Sequence, residues 1–220
     1  MTGAGGYARP PIAPAVFVDD LGRPYGERWG MDGTPEDSCS VVSHPERFAP
    51  LHEVADALVD WLSATFDVQV EEGAELASDL LHPRPSVLRA VRLTPAHPDA
   101  ASLTFVWTDF PGMIVHAGLL HDFPYPACGC DACDETWQTC ADELEWLVAA
   151  VTAGGYAETL TGGAHAELWH RLATTDRRGS GGGPAGLDGR VLDAARPTLD
   201  RLPGGWAAWP RRAGTEDGAR

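Results

Sequence analysis

Ser102-Leu103-Thr104-Phe105-Val106-Trp107-Thr108-Asp109-Phe110-Pro111-Gly112-Met113-Ile114-Val115-His116-Ala117-Gly118-Leu119 is two runs of β-branched, aromatic and aliphatic residues joined by Pro111-Gly112. Such residues fit a pleated surface, and a Pro-Gly pair punctuates it. With the run Val87 to Leu93 before it and a turn over residues 95–100, the stretch predicts an antiparallel meander of strands 87–93, 102–110 and 112–119. The third strand leads toward a segment crowded with cysteine.

Working outward, Phe48, Leu51, Val54, Leu58, Trp61, Leu62 and Phe66 recur every three or four residues, which predicts a helix over 45–66. Ser43-His44-Pro45-Glu46 before it has the spacing of a capping box with an early proline. Residues 67–71 alternate as a short strand, and 75–81 read as one or two helical turns closed by Pro83 and Pro85. Downstream, Trp137, Cys140, Ala141, Leu144, Leu147, Val148 and Val151 keep helical spacing until Gly154-Gly155, so a helix spans 134–153. Residues 156–160 and 165–173 form a second predicted hairpin, its Ala166, Leu168, His170 and Leu172 in one phase. The glycine-rich stretch 177–189 reads as a flexible loop, and 187–202 as a last helix interrupted by Pro197. Residues 16–29 read as a short hairpin. The expected architecture is a single α+β domain over 15–205, an antiparallel sheet with helices packed on one face. A flexible arm (1–14) precedes it and a tail (206–220), anchored by Trp206 and Trp209, follows.

The 220 residues carry a formal charge of −16, and every one of the 16 basic residues is arginine. Lysine and asparagine are absent and isoleucine occurs twice, a bias that GC-rich codons explain without any functional argument. No basic residue lies between Arg92 and Arg171, whereas from Arg171 onward nine arginines face six acids, leaving the remainder at −19. A surface this acidic repels phosphate backbones, so nucleic-acid binding is not expected. It suits solubility or a basic protein partner. The N-terminus lacks the charged and apolar pattern of a secretory signal, and no apolar run approaches the ~20 residues of a membrane span. A cytoplasmic protein with reduced thiols is expected.

Four of the five cysteines fall in one segment, Cys128-Gly129-Cys130-Asp131-Ala132-Cys133 followed by Cys140. Three chemistries account for this crowding. Thiolates in a Cys-x-Cys-x-x-Cys order can hold a structural zinc, with His121, His116 or Cys140 as the fourth ligand. A Cys130-x-x-Cys133 pair ahead of a helix resembles a thioredoxin-like redox site. Against this, Asp131, Asp134 and Glu135 disfavour a thiolate, and no proline follows between Cys133 and Pro184. Third, cysteine is a small buried residue, the reading that suits Cys39 and Cys140 best. His116, His121 and Asp122, with Asp109, could instead hold a catalytic cation or act as general acid and base. Without lysine, Schiff-base chemistry and a phosphate-binding Gly-Lys loop are excluded, and no Gly-x-Ser-x-Gly or His-Glu-x-x-His motif is present.

Glu46-Arg47-Phe48-Ala49-Pro50-Leu51-His52, Val115 through Pro124, Cys128 through Glu135, Gly154-Gly155-Tyr156 and Leu202-Pro203-Gly204-Gly205-Trp206 together resemble DUF6226, an uncharacterised actinobacterial family. The resemblance covers nearly the whole chain and implies a high-GC bacterial origin, but no activity. Its pattern includes His116, His121 and the three clustered cysteines without Cys140, which favours His121 as fourth ligand. The leading expectation is a non-enzymatic binding protein with a structural zinc at Cys128, Cys130, Cys133 and His121. The alternative is a metal-dependent hydrolase or thiol-redox protein built on the same region.

Overall fold

The computed structural model describes residues 6–213 apart from 14, 31–32, 83–85 and 163–165. His165, Pro83, Pro85 and the outermost residues of the two predicted ends therefore lie outside the described residues.

The predicted meander is the middle of a five-stranded antiparallel sheet in sequential order. Its strands are β1 (Val68–Glu72), β2 (Val87–Pro95), β3 (Leu103–Thr108), β4 (Met113–Ala117) and β5 (His121–Tyr125). Successive side chains point to opposite faces. Leu103, Phe105 and Trp107 of β3 share one face with Met113, Val115 and Ala117 across the register. Val106 and Ile114 face the other way, against Leu76, Leu80 and Ala90. Both faces are covered, which is why β3 and β4 read as continuous apolar runs and not as alternating ones.

The main core face is roofed by α1 (Pro50–Thr65) and α2 (Trp137–Thr152). Leu51, Val54, Ala55, Leu58 and Leu62 supply the buried stripe of α1 at helical spacing. The two long helices thus share one face, as expected, and the opposite face is covered in part by a 3-10 turn over Ala74–Asp79, where helical turns were predicted. That turn is pinned by Asp79, which accepts from Arg92 at 2.6 Å and Thr104 at 2.6 Å.

The start of the first helix also differs from expectation. Pro45–Phe48 is a separate 3-10 turn, and α1 begins at Pro50. A proline inside a continuous helix would lack an N–H and press on the carbonyl four residues back, so Pro50 must sit at the first helical position. The predicted capping box does not form: His44 takes the left-handed region (φ 53°) with no side-chain cap. In α2 the cap is Thr136, which exchanges reciprocal hydrogen bonds with Thr139.

A second antiparallel sheet comprises β6 (Tyr156–Thr161), β7 (Glu167–Ala173) and β8 (Arg178–Pro184). The first two are the predicted second hairpin. The third overturns the predicted flexible loop at 177–189. Glycine weakens a strand, but here it permits close approach. A Cβ on Gly182 would lie 2.5 Å from the Leu168 carbonyl oxygen, and one on Gly179 would lie 2.7 Å from the Trp146 ring. Gly182→Val should therefore lower the urea midpoint by the equivalent of about 2 kcal/mol. Gly183→Ala, where nothing lies within 4 Å, should stay within about 0.5 kcal/mol of the parent.

The third helix, α3 (Gly189–Arg201), keeps Pro197 inside it and buries Leu192, Ala195 and Leu199. The chain ends are docked. Tyr7 is buried and donates to Glu145 at 3.0 Å, and Arg9 bonds Glu145 and Asp142 on α2. Trp206 and Trp209 are buried, and Arg211 bridges to Phe66. The described parts of the expected arm and tail are thus packed onto the core.

Candidate metal centre and buried carboxylate site

The sulfur segment follows β5, a strand absent from the predicted order. The ligand atoms of Cys128, Cys130 and Cys133 all lie within 4.8 Å of one another. Cys128 Sγ is 3.1 Å from Cys130 Sγ, and Cys130 Sγ is 3.6 Å from Cys133 Sγ. Cys130 is buried, and the other two are exposed. The hydrogen bond from the Cys128 thiol, followed by backbone N–H groups of Cys133 and Ser40, lowers the Cys130 thiol to about 7. The neighbouring sulfurs of Cys128 and Cys130 push Cys133 up to about 12. One sulfur is thus presented as an acceptor, ringed by donors.

A carboxylate shapes the loop. Glu135 accepts the backbone N–H groups of Ala127, Cys128 and Gly129 at 2.9, 3.0 and 2.9 Å. Two buried arginines complete the frame. Arg28 pairs with Asp134 at 2.6 Å, and Arg47 donates to the Gly129 carbonyl at 3.0 Å and approaches Asp131 at 3.7 Å. Asp131 also accepts from Tyr25 and from the backbone of Ser43. Of the acids that argued against a thiolate in the sequence, Asp134 and Asp131 are therefore offset by cations from residues 28 and 47, and Glu135 is held by backbone N–H groups. Neither arginine was singled out for this site in the sequence, because their partners are about a hundred positions away for Arg28 and some 80 for Arg47.

The other predicted ligands are not brought here. Cys140 is buried, as expected, and burial followed by Glu135 pushes its thiol up to about 12. Cys39, expected to be buried, is exposed. The thioredoxin-like arrangement is also absent. Thr136 is the N-cap of α2, so Cys133 ends short of the helix and neither thiol of the pair lies in its first turn.

His121 stands at the far end of β5, about 13 Å of strand away from the loop that follows Tyr125. Its Nδ1 bonds Glu158 at 3.0 Å, and its ring stacks on Phe123 and lies against His170, with centroids 4.8 Å apart. His116 and Asp122 are cross-strand partners bonded at 2.8 Å, but on the opposite face from His121. Asp109 caps its own turn by accepting from Phe110 N–H. The sheet therefore splits the predicted hydrolase group in two.

The group around His121 has its own logic. Glu158, with a fully buried side chain, accepts from Leu119 N–H, Leu120 N–H, His121 and Trp206 Nε1–H. An acid in phase with buried Tyr156 was the sequence signal for it. His170 also sits in the apolar phase, and its Nδ1 is buried without a hydrogen-bond partner. Burial, then repulsion from His121, lowers its pKa to about 4 against the pull of Glu158. The unfolded chain, with histidine near 6.5, binds the proton first as pH falls. Stability should therefore drop as pH falls from about 6.5 to about 4 and be flat above that window. With the ring only half buried, the loss should be about 1–2 kcal/mol. His170→Leu should flatten this slope in urea melts at pH 7 and pH 5, and parallel slopes in variant and parent would refute the assignment.

Among the described residues no helix is long and apolar enough to cross a membrane. No curated protein and no solved structure matches the chain. The model of a family of unknown function matches residues 13–213, and the chain therefore belongs to that family, DUF6226.

Proposed function

We propose that Cys128, Cys130 and Cys133 bind a structural zinc ion, and that the protein acts by binding, not by catalysis. The observation that carries this reading is the convergence of three sulfurs within 4.8 Å on one short loop. Tetrahedral zinc with Zn–S of about 2.3 Å spaces its sulfurs about 3.8 Å apart. The present separations of 3.1 and 3.6 Å need to open by about 0.7 and 0.2 Å to reach that spacing. Thiolate is the ligand type that zinc and other soft cations select. The buried arginines and the N–H donors lower the cost of gathering negative sulfur, so the site suits a clamp that fixes residues 25–48 against the loop before α2. A catalytic reading would need groups that the sheet holds apart. The charge of −16 fits a cationic protein partner better than a polyanion.

Elemental analysis of purified protein tests the reading. One zinc per chain is expected, with loss of stoichiometric binding in Cys130→Ser. Metal-free protein that fails to take up zinc or cobalt at neutral pH would refute it.

A further inference from the structure

We propose that Cys39 supplies the fourth ligand of this metal site, a proposal that rests on the three-sulfur reading above. A closed structural zinc site takes four protein ligands, and the candidates read from the sequence are engaged elsewhere. His121 is bound to Glu158 and His116 to Asp122, while Cys140 lies buried against Glu135. Residues 38–41 are laced to the sulfur loop by backbone hydrogen bonds. Asp131 N–H donates to the Val41 carbonyl at 2.8 Å, and Ala132 N–H donates to the Ser38 carbonyl at 3.1 Å. Cys39 lies between those two anchors, so its backbone is held beside the sulfur loop from both sides.

Cys39 is thus the one remaining soft ligand on a segment already fastened to the site, among the described residues. It is exposed, as are Cys128 and Cys133, whereas Cys130 is buried. The open corner of a tetrahedron on these sulfurs accordingly lies on the solvent side, where Cys39 is and Cys140 is not. Cys39 stands outside the group of atoms within 4.8 Å, so metal binding draws its side chain inward while the flanking backbone stays paired. Such a ligand would tie the N-terminal segment to the loop through the metal itself, 89 positions before Cys128 in the chain.

Alkylation of each cysteine, mapped by mass spectrometry on the full chain with and without one equivalent of zinc, tests this without a variant. Cys39, Cys128, Cys130 and Cys133 should all be protected by metal and all react after chelation. Cys39→Ser should weaken zinc binding about a hundredfold, and Cys39→His should restore most of it, since imidazole is also a zinc ligand. If one zinc remains bound while Cys39 alone of these four is alkylated, or if Cys39→Ser binds as tightly as the parent, this proposal falls and the three-sulfur site stands. If no metal binds the parent protein, both fall together.

Discussion

Stripping the zinc proposed at Cys128, Cys130 and Cys133 from the purified protein is expected to lower its thermal midpoint by roughly 10 °C. A ligand present at a thousand times its dissociation constant stabilises the folded state by about 4 kcal/mol. In a chain of this size each kcal/mol moves the midpoint by about 2–4 °C. The loss should be felt first where the site is tied together. Tyr25, Arg28, Ser43 and Arg47 all reach across to Asp131, Asp134 or Gly129. Hydrogen exchange should therefore quicken in residues 25–48 and 127–136 before it does in β2, β3 and β4, whose bonds lie within the sheet. Returning zinc should restore both readouts. A metal-free sample that melts at the parent's midpoint would remove the structural role.

Glu158→Ala should be the most damaging single truncation outside the cysteine cluster, costing about 4 kcal/mol or more. It would orphan four donors: Leu119 N–H at 3.0 Å, Leu120 N–H at 2.7 Å, His121 at 3.0 Å and Trp206 Nε1–H at 3.0 Å. An unsatisfied buried donor costs about 1–3 kcal/mol, and water entering the gap can recover part of the total. The carboxylate also joins separate parts of the fold, the turn between β4 and β5, the strand β6 and the C-terminal Trp206. A side chain on Gly118 would run into the same carboxylate, which is why that turn takes glycine at φ 69°. Glu158→Gln preserves shape but turns an amide N–H₂ toward donors, so an intermediate loss of about 2 kcal/mol is expected. Trp206→Phe removes one of the four bonds and part of an indole, and should cost less than Glu158→Ala. Urea melts of the three variants check the order, and a Glu158→Ala protein within 1 kcal/mol of the parent would contradict it.

Periodicity carried much of this architecture. The spacing of Leu51, Val54, Leu58 and Leu62 encodes α1, and the runs around Phe105 and Val115 encode the meander, because burial on a face repeats at the period of the element. The strands of the second hairpin and the helix before Gly154 were legible in the same way, and the anchoring of Trp206 and Trp209 followed from two large aromatics in one short segment. The crowding of Cys128, Cys130 and Cys133 was visible for a related reason: their positions are close in the chain, so any fold keeps their backbones together.

What failed was whatever depended on a distant partner. The glycine-rich stretch reads as a flexible loop until Trp146, His170 and Leu168 are seen to fill the space that the missing side chains of Gly179, Gly181 and Gly182 leave. β5 carries His121, Asp122 and Pro124 and shows no strand pattern of its own, yet it pairs along Met113–Ala117. The nearness of His116, Asp122 and His121 in sequence suggested one polar site, whereas the pleat sends His121 to one face and the other two to the opposite face. Hydrophobic period and the local concentration of sulfur are written in the order of residues alone. Packing, by contrast, sets Arg28 and Arg47 against Asp134 and Asp131, gathers four donors on Glu158, and lays residues 38–41 beside the sulfur loop. Those contacts join residues far apart in the chain, and local spacing carries no record of which distant groups packing will bring together.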